Sequence, residues 1–295
     1  MKTYIKLTLT LDVYMRDYRN NHCIDEFDNF FQRIQNTLIE FKEIKTTWFL
    51  RLDNQIDKIS GGNEYIFSKN KENIDWLINN DHEVALHFHS YEYKNGLWVQ
   101  SLQESMICDE LYRSALRGKE LGLKGIRMGW GYHTNNTMKI ISDLGYKYDS
   151  SAIPRPIYDF ELSTRDWSIT TSDIYYPSIH DYRVSGDPSH KIIEIPMSTV
   201  PISAPTDTVE MIRTINPFYE TSIFFDALSK VKTDFCVIMA HPVELSFTKY
   251  DHPLYPCTNT SFEVNMRRLV DMGINFANME MMANNFNSVN KLGNT

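Results

Sequence analysis

Three apolar runs far apart in the chain each end in a side chain able to do chemistry, and that repetition narrows the possible folds most. Leu7-Thr8-Leu9-Thr10-Leu11-Asp12 alternates strictly, so Thr8, Thr10 and Asp12 share the face opposite the leucines of one strand. In His82-Glu83-Val84-Ala85-Leu86-His87-Phe88-His89-Ser90, Val84, Leu86 and Phe88 face one way, while Ala85, His87 and His89 face the other. Phe235-Cys236-Val237-Ile238-Met239-Ala240-His241-Pro242 is a third apolar strand, closing on an imidazole and a proline that stops further pairing. An isolated His-x-His also fits two histidines hydrogen-bonded at a strand end. Polar residues at the carboxyl ends of several strands, however, are how a (β/α) barrel assembles an active site, and three such ends predict one shared site.

The stretches between these runs predict an α/β chain. Residues 23–43 have helical spacing in Phe27, Phe30, Phe31, Ile34, Leu38 and Phe41, and 46–52 follow as a strand. A short helix ends over 75–80, a longer one spans 103–121, and 125–129 read as a brief strand ending in a turn. Residues 134–144 are helical up to Gly145, and 147–151 are again a strand. The irregular region 153–217 holds most of the chain's 11 prolines, with strand-like pieces at 173–176 and 191–196; excursions this long tend to carry function. Helices over 219–231 and 260–272 and a strand over 274–278 complete the alternation. No Pro/Gly/Ser-rich linker interrupts it, so 1–284 read as one domain and the polar stretch 285–295 as a loose tail.

Composition sets the remaining bounds. A chain of 295 residues with 42% hydrophobic content can bury a sizeable core. The net charge of -8 offers no basic stripe, so nucleic acid is not an expected partner. The first strand begins close to Met1, so no export signal is expected, and no window approaches the roughly 18 uninterrupted apolar residues of a membrane helix. Cys23, Cys108, Cys236 and Cys257 are scattered, which fits a reducing cytoplasm better than a disulfide scaffold. The aromatic share of 13% suits a sugar-lined cleft and ordinary core packing equally.

Taken in order, the pieces resemble the polysaccharide deacetylase, or NodB-homology, family of carbohydrate esterases over roughly residues 6–278. That family opens with Thr-Phe-Asp-Asp-Gly, which Thr10-Leu11-Asp12-Val13-Tyr14 resembles. Its histidine strand, ending His-Ser/Thr-x-x-His, is similar to 82–91, and its arginine before a Trp-Gly turn is similar to Arg127-Met128-Gly129-Trp130-Gly131-Tyr132. Leu144-Gly145-Tyr146, Tyr148-Asp149-Ser150-Ser151 and Ile193-Glu194-Ile195-Pro196 are also in the family style, and the last block, an apolar strand ending in histidine, fits 237–242. Two departures stand out. Val13 occupies the place of the family's metal-binding second aspartate, and Tyr91 that of its second metal histidine, while an extra histidine, His89, lies two positions after His87.

The resemblance implies a (β/α) barrel in a distorted seven-stranded form and hydrolysis of an N-acyl, usually N-acetyl, group on an amino sugar. It implies a divalent metal, zinc first, with Asp12, His87 and His89 as a three-ligand set and Asp12 alternatively as the base. Asp17 or Asp149 would supply the missing carboxylate. His241 is the implied general acid, Arg127 a group orienting a carboxylate or a substrate oxygen, and Trp130, Tyr132 and Tyr91 walls of a sugar pocket. Arg127 also fits a surface ion pair, and Trp130 with Tyr132 fits plain packing. The expected substrate is a cytoplasmic amino-sugar or glycan precursor in surface-polysaccharide synthesis. The alternatives are a carbohydrate-binding pseudoenzyme and a metal-free hydrolase of another amide on the same scaffold.

Overall fold

A computed structural model describes residues 6–12, 27–157, 165–204, 207–242, 244, 254 and 260–292. The chain opens with β1 (Lys6–Asp12), α1 (Phe27–Glu40) and β2 (Thr46–Arg51), followed by three short helices, α2 (Asn54–Ser60), α3 (Tyr65–Lys69) and α4 (Lys71–Asn79). Next come β3 (Glu83–Phe88), a hairpin of β4 (Tyr91–Lys94) and β5 (Leu97–Gln100), α5 (Glu104–Glu120), β6 (Gly125–Met128), α6 (Asn135–Asp143) and β7 (Tyr148–Asp149). After a long irregular excursion the chain continues through β8 (Ile193–Glu194), β9 (Thr199–Pro201), β10 (Ile212–Thr214), α7 (Thr221–Ser229) and β11 (Phe235–Ala240). It ends in α8 (Thr260–Asp271), β12 (Asn275–Phe276) and α9 (Met279–Leu292).

Seven strands pair in the order β11-β1-β2-β3-β6-β7-β8, with β12 also on β1, and every pairing is parallel. Parallel strands need crossovers, and helices supply most of them, so one face of the sheet is covered by helices. Strand alternation then sorts the residues. Trp48, Leu50, Val84, Leu86, Phe88 and Ile126 join Phe30, Phe31 and Ile34 of α1 and Leu111 and Ala115 of α5 in the outer core. Phe49, Ala85, Tyr148, Ile193, Ile195 and Val237 form a separate inner cluster with Met279, Met282 and Ala283 of α9. The face assignment expected for 84–88 holds.

Of the expected distorted seven-stranded barrel, the structure shows a seven-strand parallel path. No strand ladder joins β8 to β11 among the described residues. Ser198 crosses the gap, its N–H donating to the Val237 carbonyl (3.2 Å) and its Oγ accepting the Val237 N–H (2.9 Å).

The expected loose tail from residue 285 is corrected. Helix α9 runs through Leu292, because Phe286 packs 5.6 Å from the Tyr176 ring and Asn287 accepts the Tyr176 hydroxyl. The helix starts against the end of the sheet where the strands begin. Met279 N–H donates to Thr47 Oγ1, Glu280 N–H to Glu83 Oε2 and Met281 N–H to Asn278 Oδ1, which satisfies the otherwise orphaned first amides. No helix among the described residues is long and apolar enough to cross a membrane.

Candidate active site

Parallel register brings the site together. Arg51 pairs with His87 and His87 with Arg127, so three polar residues stand abreast where β2, β3 and β6 end. There the strand ends open on a cavity of about 310 Å³, within the size of a small-ligand site. His87, His89, Tyr91, Arg127, Trp130 and His241 all line it; sequence reasoning had singled out each one. Met128, Gly131, Ile153, Met197 and Met239 complete the wall and were missed. Met239 had a signal, since Val237, Met239 and His241 alternate onto one face.

His87 Nδ1 lies 3.0 Å from the Arg127 carbonyl, and a carbonyl only accepts, so Nδ1 carries the proton and Nε2 presents a lone pair. His89 Nε2 is 3.0 Å from that Nε2. Burial first, then electrostatic repulsion of an added proton by His87, Arg51, His241 and Arg165, hold the His89 pKa well below the ordinary imidazole range, so this ring is neutral. Both rings are nearly inaccessible, at 3% and 8% exposure. The spacing is a hydrogen-bond length, and it also lets both nitrogens face one small cation at about 2 Å each. A carbonyl holding the far nitrogen of a histidine is the usual support of a metal ligand. The histidine pair therefore fits two ligands of a divalent ion. Among the described residues no group of three His, Cys, Asp or Glu completes the set.

The assigned third ligand, Asp12, ends β1 opposite Phe49, and Leu11 before it pairs with Ala240, so Asp12 reaches the level where His241 follows β11. Its side chain lies outside the described residues, as do Val13 and Asp17.

Aromatic rings hold His89 in place. Tyr91 stacks on it at 5.1 Å and 11°, and Trp130 meets it edge-on at 5.2 Å. Trp130 sits in the left-handed region (φ 58), followed by Gly131 at φ 65. That reversal turns Trp130 toward the cavity and Tyr132 away from it. Tyr132 is corrected accordingly: it lies in the outer core, its hydroxyl pushed up to about 12 by burial and then by Glu104 and Cys108 of α5. It does not line the cavity.

Arg127 is 1% exposed, so a surface ion pair is ruled out. Its Nε donates to the Ser150 carbonyl (2.7 Å), its Nη2 to Ser150 Oγ (2.9 Å), and its guanidinium lies 4.3 Å over the Phe49 ring. Asp149 is fully buried and engaged elsewhere, bonded to Ser151 Oγ at 2.6 Å and lying 3.1 Å from His133 Nε2. Burial pushes its carboxyl up, but His133, Glu194 and Ser151 outweigh that and hold it below the usual carboxylate range. Glu194 is driven well above that range by burial and by Asp149 beside it, so the pair shares one proton. Asp149 is thus a support of the wall, absent from the cavity lining.

His241 enters from the other side of the cavity. Its Nδ1 lies 3.2 Å from Glu244 Oε1, and its backbone N–H donates to Glu244 Oε2 at 2.9 Å. Sequence reasoning passed over Glu244 because it lies beyond the strand.

No family model matches the sequence, and no curated protein matches it significantly. Among solved structures, the fold is similar to a Mycobacterium smegmatis protein assigned to the polysaccharide deacetylases, at 14% identity over 97% of this chain and 92% of that one, TM-score 0.51. It is also similar to a 4-alpha-glucanotransferase from Thermococcus litoralis, at 12% identity over 94% of this chain and 40% of that one, TM-score 0.53. A family 4 carbohydrate esterase from Streptomyces lividans, in complex with acetate, aligns at 11% identity over 93% and 92%, TM-score 0.42. The first two alignments show a shared fold. Since their bearers differ in activity, the reaction is argued from the side chains.

Proposed function

We propose that this chain is a metal-dependent hydrolase that removes an N-acyl group, N-acetyl first, from an amino sugar or glycan precursor. The observation that carries the reading is the meeting of His87 and His89 with His241 around one cavity walled by Tyr91 and Trp130. The sheet is then a distorted barrel sealed at Ser198, and its cavity occupies the end where such folds work. His87, His89 and Asp12 would hold the ion, zinc being the first candidate. When bound, such an ion supplies polarisation of an acyl carbonyl and activation of water.

The chain's own groups do the rest. Tyr91, stacked on His89 and lying under Arg51, and Trp130, lying under Arg165, shield the histidine pair from bulk water. The Arg127 carbonyl keeps the His87 proton on Nδ1, leaving Nε2 for binding. His241, with Nδ1 turned to Glu244, has Nε2 as the nitrogen that delivers a proton to the departing amine. A carbohydrate-binding role without turnover is the second reading, favoured by Tyr91 lying flat on His89 where the resembled family has a ligand. Purified protein is expected to carry one divalent ion per chain and to release acetate from N-acetylglucosamine oligomers, and to lose both with a chelator. His89→Ala should lower release by about 100-fold or more. Sugar binding with no ion and no acetate selects the second reading.

A further inference from the structure

We infer that Glu244 is the positioning residue of His241, fixing which ring nitrogen carries the proton. The inference rests on the proposed hydrolase reading for its catalytic consequence, and on geometry alone for its structural content. His241 is the last residue of the apolar run, and Pro242 ends strand pairing immediately after it. The chain then turns back at once, with the Glu244 N–H donating to the His241 carbonyl at 3.1 Å. That turn alone would hold the backbone. The Glu244 carboxylate adds two contacts to the same residue: Oε2 accepts the His241 backbone N–H, and Oε1 faces ring Nδ1. The Glu244 side chain is 6% exposed and that of His241 27%, so the carboxylate is the more deeply buried member of the pair.

An ionised carboxylate has lone pairs and no hydrogen to give, so in the 3.2 Å contact Nδ1 must be the donor. A neutral His241 held in this way carries its proton on Nδ1, and the ring lines the cavity. When the ring takes a second proton, that proton sits on Nε2, the position from which it can reach a departing amine. The carboxylate also stabilises the resulting imidazolium without touching substrate. A staple for the turn would need only the backbone contact. The ring contact is what distinguishes a positioning residue.

Histidine-selective nitrogen NMR on the full chain, with His241→Gln identifying the signal, reads the tautomer directly. We expect the wild-type neutral ring to be protonated on Nδ1, Glu244→Leu to move the proton largely to Nε2, and Glu244→Gln to move it too, since its one amide oxygen meets the fixed His241 backbone N–H and its NH2 then faces Nδ1. With an N-acetylglucosamine oligomer as substrate, Glu244→Leu should lower kcat about 100-fold while KM stays within about threefold. Glu244→Gln, which keeps the backbone contact but reverses the ring contact, should lower kcat comparably, whereas a residue that only stapled the turn would leave it near wild type. A wild-type ring protonated on Nε2 overturns the inference whatever the variants do, and so does an unchanged tautomer in folded Glu244→Leu. If wild-type protein releases no acetate, the hydrolase reading fails while the tautomer still decides the role of Glu244.

Discussion

At Gly129 the missing side chain is a requirement of a neighbouring ring. A methyl group there would overlap the His89 imidazole, with Nδ1, Cε1 and Nε2 all closer than any real Cβ contact. Since His89 is already fixed between Tyr91 and Trp130, it has nowhere to retreat. Gly129→Ala should therefore swing the ring off His87, cost about 1–3 kcal/mol in urea unfolding and, on the proposed metal-dependent reading, lower divalent-ion content to near zero. Retention of wild-type ion content would show that His89 is not held as described. Trp130 next to it keeps a left-handed backbone that a bulky residue adopts only at a cost of about 1–2 kcal/mol, strain of the kind that collects at functional sites.

Among the elements, α9 shows how composition misleads. Its last turns are polar, which reads as a fraying end, yet Phe286 and Asn287 each engage Tyr176 from the irregular excursion. Phe286→Ala should cost roughly 1–2 kcal/mol, a half-buried share of a full aromatic deletion, read from the urea midpoint; a loose tail would give almost no change. The strands were legible because a face packed on one side and lined with polar groups on the other leaves a period of two, as in 84–89. The β4–β5 hairpin carried an equally plain signal that was passed over: Asn95-Gly96, with φ 52 and 81, is the two-residue turn that joins twisted strands. Within the site, His87, His89 and His241 were legible because strands present them. Tyr132 was misplaced because the backbone reversal at Trp130 breaks the alternation, and Glu244 was missed because a carboxylate that acts through a turn has no period to betray it.

Across the whole molecule, two buried groups at the end of the sheet opposite the cavity set opposing pH dependences. Glu83, among Thr47, Tyr148 and the start of α9, is raised from 4.5 to about 7 by burial, which its hydrogen bonds only partly offset. It folds protonated, so its contribution is complete below about pH 4.5 and is lost as pH rises through about 7. His82, accepting from Thr46 and stacked on Trp76, is lowered from 6.5 to about 4 by burial and then by Lys45. Its contribution is complete above about pH 6.5 and is lost as pH falls through about 4. Each is worth roughly 3 kcal/mol, and over the shared window they nearly cancel. Glu83→Gln should thus gain on wild type by about 3 kcal/mol between pH 4.5 and 7 in urea unfolding, and a constant difference would refute the assignment.

The seam at Ser198 has a consequence of its own. Among the described residues β8 and β11 share no ladder and are bridged only by single bonds through Ser198 and Ile215, so this join should open locally at lower free energy and its amides should exchange with solvent early. Met197 and Met239 lie beside that line and are also wall residues of the cavity. Breathing of the sheet and the bore of the pocket are then one motion, and the size of guest the protein admits follows from how readily its weakest join parts.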